Sequence, residues 1–419
     1  MLILFGVFFL LMLTGLPIAF VLLGSSLSYV FLVSDIPFMS FVQRVISGTQ
    51  NFALLAVLLF VMMGNLLNSA GISQRIMGFA HVLTAHLTGG LAQVNILLST
   101  LLSGMSGSAN GDAVMQAKML VPEMERRGYS KPFSAAVTAA SSLISPMIPP
   151  GIGLIVYGFV TNTSIGDLFI SGIIPGLLMC VGMMIAVYIV SKRRGYGHDA
   201  AAPSPGRVVV EFLRALPSLM LIVIIMVGIR FGVFTPSEAG AAACIYALVL
   251  GLCYREFTPA SLWKSLRDTA SQTASIMLIL AASSAFSYIL TIEQVPQETA
   301  AWLLSITRQP EIMLFLIFIF LIVAGMFLEG TSGIMILGPI FAPVAIGLGV
   351  HPIQFGILLV FTMHLGGITP PVGTIMYAVC SIIRVSIKDF VRESLPFYLV
   401  LFVIALMLIV FPVLSTALL

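Results

Sequence analysis

The chain has 419 residues, of which 59% are hydrophobic and 8% charged, and its mean hydropathy is +1.12. That composition excludes a soluble domain and leaves an all-α polytopic membrane protein, because several apolar runs approach the ~20 residues with which a helix crosses ~30 Å of hydrocarbon. The formal net charge of +3 says nothing about nucleic acid, since the basic residues fall in short loops and form no basic domain, and no nucleic-acid partner is expected.

The N-terminal "MLILFGVFFLLML" has no basic leader and no small-residue cleavage site, and its apolar run continues to about Val33. It reads as a first span rather than a removed signal peptide. Further spans are expected at 52–67, 168–190 and 399–418. Next comes a short amphipathic arm, "GISQRIMGFAHVLTAH", which places His81 and His86 near the interface.

The polar stretch "SGMSGSANGD" at 103–112 then interrupts apolar sequence. The limb before it, 90–102, would be only ~20 Å long as a helix. A second short limb ends at Pro122. The expectation is a re-entrant helical hairpin over 88–122 with its tip near mid-membrane. A segment at 132–162 is long enough to cross but contains Pro149-Pro150, which removes two amide donors and breaks the helix. The polar, Pro/Gly/Ser-containing segment at 191–207 reads as a linker. Beyond it the pattern returns, with a hairpin over 309–345 around "GMFLEGTSG" and a Pro-Pro break at Pro370-Pro371 within 352–382. Unwound backbone at such depth is tolerated only where protein or a water-filled cavity surrounds it. Four cysteines, Cys180, Cys244, Cys253 and Cys380, lie in or at the ends of apolar segments without metal-type spacing and read as packing residues.

The two Pro-Pro pairs are separated by 221 residues, and the same offset lays "SPMIPPGIGLIVY" over "GGITPPVGTIMYA", Gly104-Met105 over Gly325-Met326 and Pro122 over Pro343. One register held across this stretch indicates two homologous halves, 1–190 and 208–419. Loop charge sets their relative orientation. "EMERRGYSK" carries Arg126, Arg127 and Lys131, whereas its counterpart "VAIGLGVHP" carries no Lys or Arg. The positive-inside rule puts the first in the cytoplasm and the second outside, so the repeats are inverted, with the N-terminus inside and the C-terminus outside. "SKRR" at 191–194, the 255–267 loop and Arg384, Lys388 and Arg392 agree; Arg44, Arg230 and Arg308 fall on the external side.

Paired tips and paired broken helices, brought together by inverted symmetry, surround one midplane site, as in a secondary transporter. Half-helix N-termini attract anions, while freed carbonyls and Ser/Thr/Asn oxygens suit a small cation such as sodium. For substrate the candidates are Ser106, Ser108, Asn110, Glu329, Thr331 and Ser332. For sodium they are Ser103, Asn110, Pro149, Gly151, Gly325, Thr369 and Pro370. Each has a plainer reading: Ser103, Ser106, Ser108 and Asn110 could merely cap the descending limb, and Glu329 could only brace its hairpin. Asp112 reads first as a charge that stabilises the limb's N-terminus. His364 reads as a neutral, hydrogen-bonded helix residue, with proton coupling as the alternative. Lys118 faces either substrate or the cytoplasmic interface.

The stretches "SGMSGSANGDAVMQAKMLVPEMERRGYSKPFSAAVTAASSLISPMIPPGIGLIVYG" and "GMFLEGTSGIMILGPIFAPVAIGLGVHPIQFGILLVFTMHLGGITPPVG" resemble the two signature regions of the large membrane subunit of TRAP (tripartite ATP-independent periplasmic) transporters. The resemblance covers nearly the full chain. It implies an elevator-type, sodium-driven importer of organic anions (C4-dicarboxylates, keto acids, sugar acids or sialic acid) in the bacterial inner membrane. It also implies a small four-helix membrane subunit and a periplasmic substrate-binding protein as separate chains, no cofactor, and Na+ as coupling ion. Two positions depart from the family pattern: Gly151 stands where a serine often follows the Pro-Pro pair, and Glu329 where aspartate often follows "GMFL".

Two other classes compete. A stand-alone divalent-anion/sodium symporter would share this architecture and need no binding protein. An intramembrane enzyme would need a catalytic pair, yet Asp112 has no aspartate counterpart in the second half and no G-x-S-x-G with suitably placed partners occurs. No G-x-x-x-x-G-K-[ST] phosphate loop is present, so ATP would have to be used by another chain.

Overall fold

The computed structural model describes residues 2–34, 36–50, 54–197 and 202–419. The start of the span expected at 52–67 and the middle of the 191–207 linker lie outside the described residues. The first run of helices is α1 (Leu2–Leu13), α2 (Ile18–Leu32), α3 (Phe38–Ser47), α4 (Leu54–Ser69), α5 (Ile72–Thr84), α6 (Gly90–Ser106), α7 (Ala109–Met119), α8 (Val121–Arg126), α9 (Lys131–Ser141), α10 (Ile152–Thr161) and α11 (Ile165–Arg194). The second is α12 (Pro205–Arg230), α13 (Pro236–Cys253), α14 (Pro259–Ile292), α15 (Val295–Ile306), α16 (Pro310–Phe327), α17 (Gly330–Gly347), α18 (Pro352–Gly367), α19 (Thr374–Ile383), α20 (Ile387–Val410) and α21 (Val413–Thr416). Among the described residues seven helices are long and apolar enough to cross a membrane, or eight if α4 and α5, bent by 73°, form one span.

Helix boundaries recur at the Pro-Pro offset. The last residues of α6 and α16, Ser106 and Phe327, stand 221 apart, as do the first residues of α7 and α17, Ala109 and Gly330, and of α9 and α18, Lys131 and Pro352. Local chemistry sets several of these starts. Ser108 accepts from the Gly111 amide, Ser164 from that of Asp167 and Ser386 from that of Asp389, each satisfying a donor that the first helical turn leaves free.

Three expectations change. The apolar run to Val33 is two helices, α1 and α2, packed on each other, because Gly15 takes a φ of +77° and Pro17 withholds its amide. The last span is Ile387–Val410 rather than 399–418, since it starts at the Ser386 cap and ends before Pro412. The hairpin tips are shorter than the polar stretches that announced them. α6 continues through Ser103 and Ser106, so only Gly107 and Ser108 separate it from α7, and only Leu328 and Glu329 separate α16 from α17. α16 and α17 have 18 residues each, enough to span, so limb length does not by itself make the second hairpin re-entrant.

The helices pack in two groups. In one, α4 lies against α13 and α14, and α14 also against α2 and α3. In the other, α18 lies against α16 and α17, α10 against α17, α20 against α9 and α11, and α19 against α7. The arms lie between them: α5 touches both α6 and α12, and α15 touches both α14 and α17. α18 is the innermost element, buried from Ile353 to Gly367.

Inside the second group, polar side chains bond one another instead of lipid. Asn95 of α6 donates to Thr138 Oγ1 of α9 at 2.8 Å and accepts from Ser141 Oγ at 2.8 Å. Burying these groups is tolerable only because each is paired.

Candidate functional site

Each hairpin tip rests on the Pro-Pro break of its own half. Gly107 closes α6 with a φ of +55°, its amide donating to Ser103 O, and its own carbonyl accepts from Ile152 N at 3.2 Å, beyond the first break. Ser106 Oγ lies 2.9 Å from Ser145 Oγ in the segment leading to Pro149. In the second half, Gly373 N donates to Met326 O at 2.8 Å, and a Cβ on Gly325 would stand 2.8 Å from Met363 O. The missing proline amides are what leave this backbone free to bond across elements instead of along a helix.

Between the two tips lies a cavity of about 730 Å³. Its lining includes all six side chains expected for substrate: Ser106, Ser108 and Asn110 from the first tip, and Glu329, Thr331 and Ser332 from the second. Glu329 caps α17: its carboxylate accepts from Ser332 N at 3.1 Å, Ser332 Oγ at 3.4 Å and Thr331 Oγ1 at 3.3 Å. His364, 6% exposed, also lines the cavity, and its Nδ1 lies 2.7 Å from Val360 O. A carbonyl can only accept, so Nδ1 carries the hydrogen and Nε2 of the neutral ring is an acceptor. The ring packs so closely on the second tip that a Cβ on Gly330 would meet Nε2 at 2.7 Å.

Of the seven residues expected for sodium, only Asn110 lines this cavity; Ser103, Pro149, Gly151, Gly325, Thr369 and Pro370 do not, and of these Gly151 and Gly325 stand at the close approaches between tip and break. Ser103 is fully buried and donates to Thr100 O at 2.6 Å; Thr369 Oγ1 donates to Leu365 O at 2.8 Å. Both hydroxyls keep lone pairs, as a cation ligand must. Gly151 has a steric reason: a Cβ there would collide with Pro146 O, so this backbone has no room for the serine that the family pattern offers.

Asp112 turns away from the cavity. Fully buried, it accepts from Ser99 Oγ and Gln116 Nε2, both at 2.8 Å, and ties α7 to α6. Lys118 is exposed and does not line the cavity. The opposite wall escaped sequence reasoning: Asn65 and Asn68 of α4 and Ser271, Gln272 and Ser275 of α14 face the tips. Their signal was present as polar side chains at helical spacing in otherwise apolar helices, "MMGNLLNS" and "ASQTAS". None of the described lining residues is Lys or Arg. An anion here would be held by amides, hydroxyls and helix N-termini. Among the described residues no cluster of His, Cys, Asp and Glu could hold a metal ion, which leaves oxygen ligands from backbone and hydroxyls for any cation.

A family model described as the tripartite ATP-independent periplasmic transporter, DctM component, matches residues 5–414. The sialic acid TRAP transporter large permease protein SiaM of Vibrio cholerae is 37% identical over 405 residues, covering 96% of this chain and 94% of its own. The C4-dicarboxylate TRAP transporter large permease protein DctM of Pseudomonas aeruginosa is 34% identical over 381 residues, covering 90% and 88%. Among solved structures, the Alcanivorax borkumensis YdaH transporter superposes with a TM-score of 0.68 over 96% of this chain and 97% of its own, at 15% identity, a likeness of fold alone. With a family match spanning almost the whole length and apolar helices throughout, the chain belongs to the DctM family as a large permease of a TRAP transporter, a multi-pass inner-membrane protein of organic-acid transport and not an enzyme.

Proposed function

We propose that the chain performs sodium-coupled uptake of an organic anion, delivered by a periplasmic binding protein and with a small four-helix membrane subunit as partner, by an elevator motion. One observation carries the reading: the two tips, distant in sequence, converge on one cavity and supply it with Ser106, Ser108 and Asn110 from one half and Glu329, Thr331 and Ser332 from the other. The recurrence of helix boundaries at one offset supports inverted repeats over 1–190 and 208–419, joined by 191–207.

Sodium binds beside each tip and its Pro-Pro break, where Ser103, Asn110, Pro149 and Gly151, and Gly325, Thr369 and Pro370, offer carbonyl and hydroxyl oxygens. Binding there orders the tips and completes the anion site. The group holding both hairpins and both broken helices then slides against α1–α4 and α12–α14, with α5 and α15 as arms. A partly loaded group moves at a cost, because unpaired polar groups would face lipid.

The test is uptake of a labelled organic-acid panel into proteoliposomes under an inward sodium gradient, with and without the small subunit and binding protein. Uptake that needs all components and sodium is expected. Uptake by this chain alone would replace the reading with a stand-alone symporter; substrate binding unchanged by sodium would remove the coupling scheme.

A further inference from the structure

The two ends of the cavity differ in hydrogen-bonding character. At the first tip, the amides of Ala109 and Asn110 begin α7 and have no partner within the helix. Ser108 Oγ accepts from Gly111 N at 3.3 Å, so its hydrogen remains free to donate. The nearest acid, Asp112, is spent on Ser99 and Gln116. This end presents donors.

At the second tip the amides of Gly330 and Thr331 likewise begin a helix without a partner inside it, but the side-chain hydrogens are already used. Thr331 and Ser332 give theirs to Glu329, and the Ser332 amide does the same. What remains facing the cavity besides those two amides is a carboxylate, hydroxyl lone pairs and His364 Nε2, which has no hydrogen-bond partner among the described residues although the residue is 94% buried. What sets this end apart is its side-chain acceptors and a negative charge. A carboxylate placed there would meet the like charge of Glu329, which already occupies this helix N-terminus, while a hydroxyl would satisfy Glu329 and His364. On the facing wall Asn65 Nδ2 already donates to Thr269 Oγ1 and Asn68 Oδ1 accepts from Ser73 Oγ, and what these amides and Gln272 retain is both donor and acceptor capacity, which matches hydroxyls.

We propose that this site selects a polyhydroxylated monocarboxylate of the sugar-acid class, its carboxylate at the Ser108–Asn110 tip and its hydroxyls at Glu329 and His364, and rejects dicarboxylates. The proposal rests on the transport reading and narrows it.

The experiment is ligand-induced thermal stabilisation of the purified chain in nanodiscs, in saturating sodium, with D-gluconate, D-glucuronate, succinate and 4-aminobutyrate at matched millimolar concentrations. Because the binding protein is left out, selection by this site is read directly. The sugar acids should bind at least about tenfold tighter than succinate. Glu329→Gln, which removes the charge and supplies an N–H donor, should narrow that ratio in favour of succinate by about tenfold. Equal or tighter binding of succinate would overturn the proposal and leave the transport reading standing. Tighter binding of 4-aminobutyrate would also overturn it, by making the second end an ammonium site. If no acid binds with or without sodium, the proposal is overturned, and uptake by the complete three-component system decides the transport reading separately. An unchanged ratio in a folded Glu329→Gln protein would show that Glu329 does not set the preference.

Discussion

Gly107 at the first hairpin tip and Pro150 in the first helix break meet backbone to backbone: a Cβ on Gly107 would collide with Pro150 O, and the Gly107 carbonyl accepts from Ile152 N just past that proline. The tip is thus seated on the break, and the geometry leaves no room for a side chain. Gly107→Ala also forces an L residue to a φ of +55°, a cost of about 1 kcal/mol before any clash. Sodium-dependent thermal stabilisation of this variant should disappear. Gly6→Ala, whose added Cβ meets open space, should retain it. Retained sodium stabilisation in Gly107→Ala would separate this contact from ion binding.

A similar approach joins the two packing groups. Gly64 of α4 lies against Met105 O near the same tip, closely enough that a Cβ would collide with the carbonyl. Overpacking of this kind costs about 1–3 kcal/mol, enough to shift a two-state equilibrium about tenfold or more. Gly64→Ala is expected to reduce initial uptake rates by about that factor and, because the clash lies in this conformation, to lower its melting temperature as well. Wild-type uptake would mean that the tip does not pass this point on α4 during transport.

Asp112 braces the hairpin from inside. Asp112→Ala leaves the Ser99 hydroxyl and one Gln116 N–H without their acceptor in a buried place, while Gln116 keeps its bond to Ser99 Oγ, and should destabilise the protein by about 1–3 kcal/mol. Since the carboxylate does not line the cavity, the ratio of apparent affinities among substrates should stay the same in the surviving folded fraction. Thermal unfolding and ligand titration together check both parts. A changed preference with unchanged stability would make Asp112 a ligand instead.

Arg194 at the end of α11 pairs with Glu393 of α20 at 2.6 Å and lies over the Phe133 ring. With the guanidinium side chain 36% exposed, solvent screens much of the attraction, and Arg194→Ala should cost about 1 kcal/mol. A double-mutant cycle with Glu393→Gln should give a coupling that shrinks as salt rises. A coupling near zero beside an undiminished cost of Arg194→Ala would assign the contribution to stacking on Phe133.

The sequence by itself determined the class, the helix breaks and the residues of the tips. Hydrophobic runs and proline chemistry are local properties: Pro149-Pro150 and Pro370-Pro371 cannot continue a helix whatever surrounds them, and the shared offset shows without coordinates. Hence the six substrate candidates could be named from two short motifs, and all six line one cavity. The tertiary structure decided the rest, because it depends on contacts between segments far apart in the chain. Polar stretches overstate the tips, since Ser103 satisfies its hydroxyl on Thr100 O without leaving the helix. Nothing local tells that Asp112 faces Ser99 while Glu329 faces its own amides and the cavity, nor that Asn65, Asn68 and Gln272 close the far wall. A side chain's partner is set by the helix packed against it, and that packing brings residues more than 200 positions apart, such as Asn65 and Thr269, into one hydrogen bond.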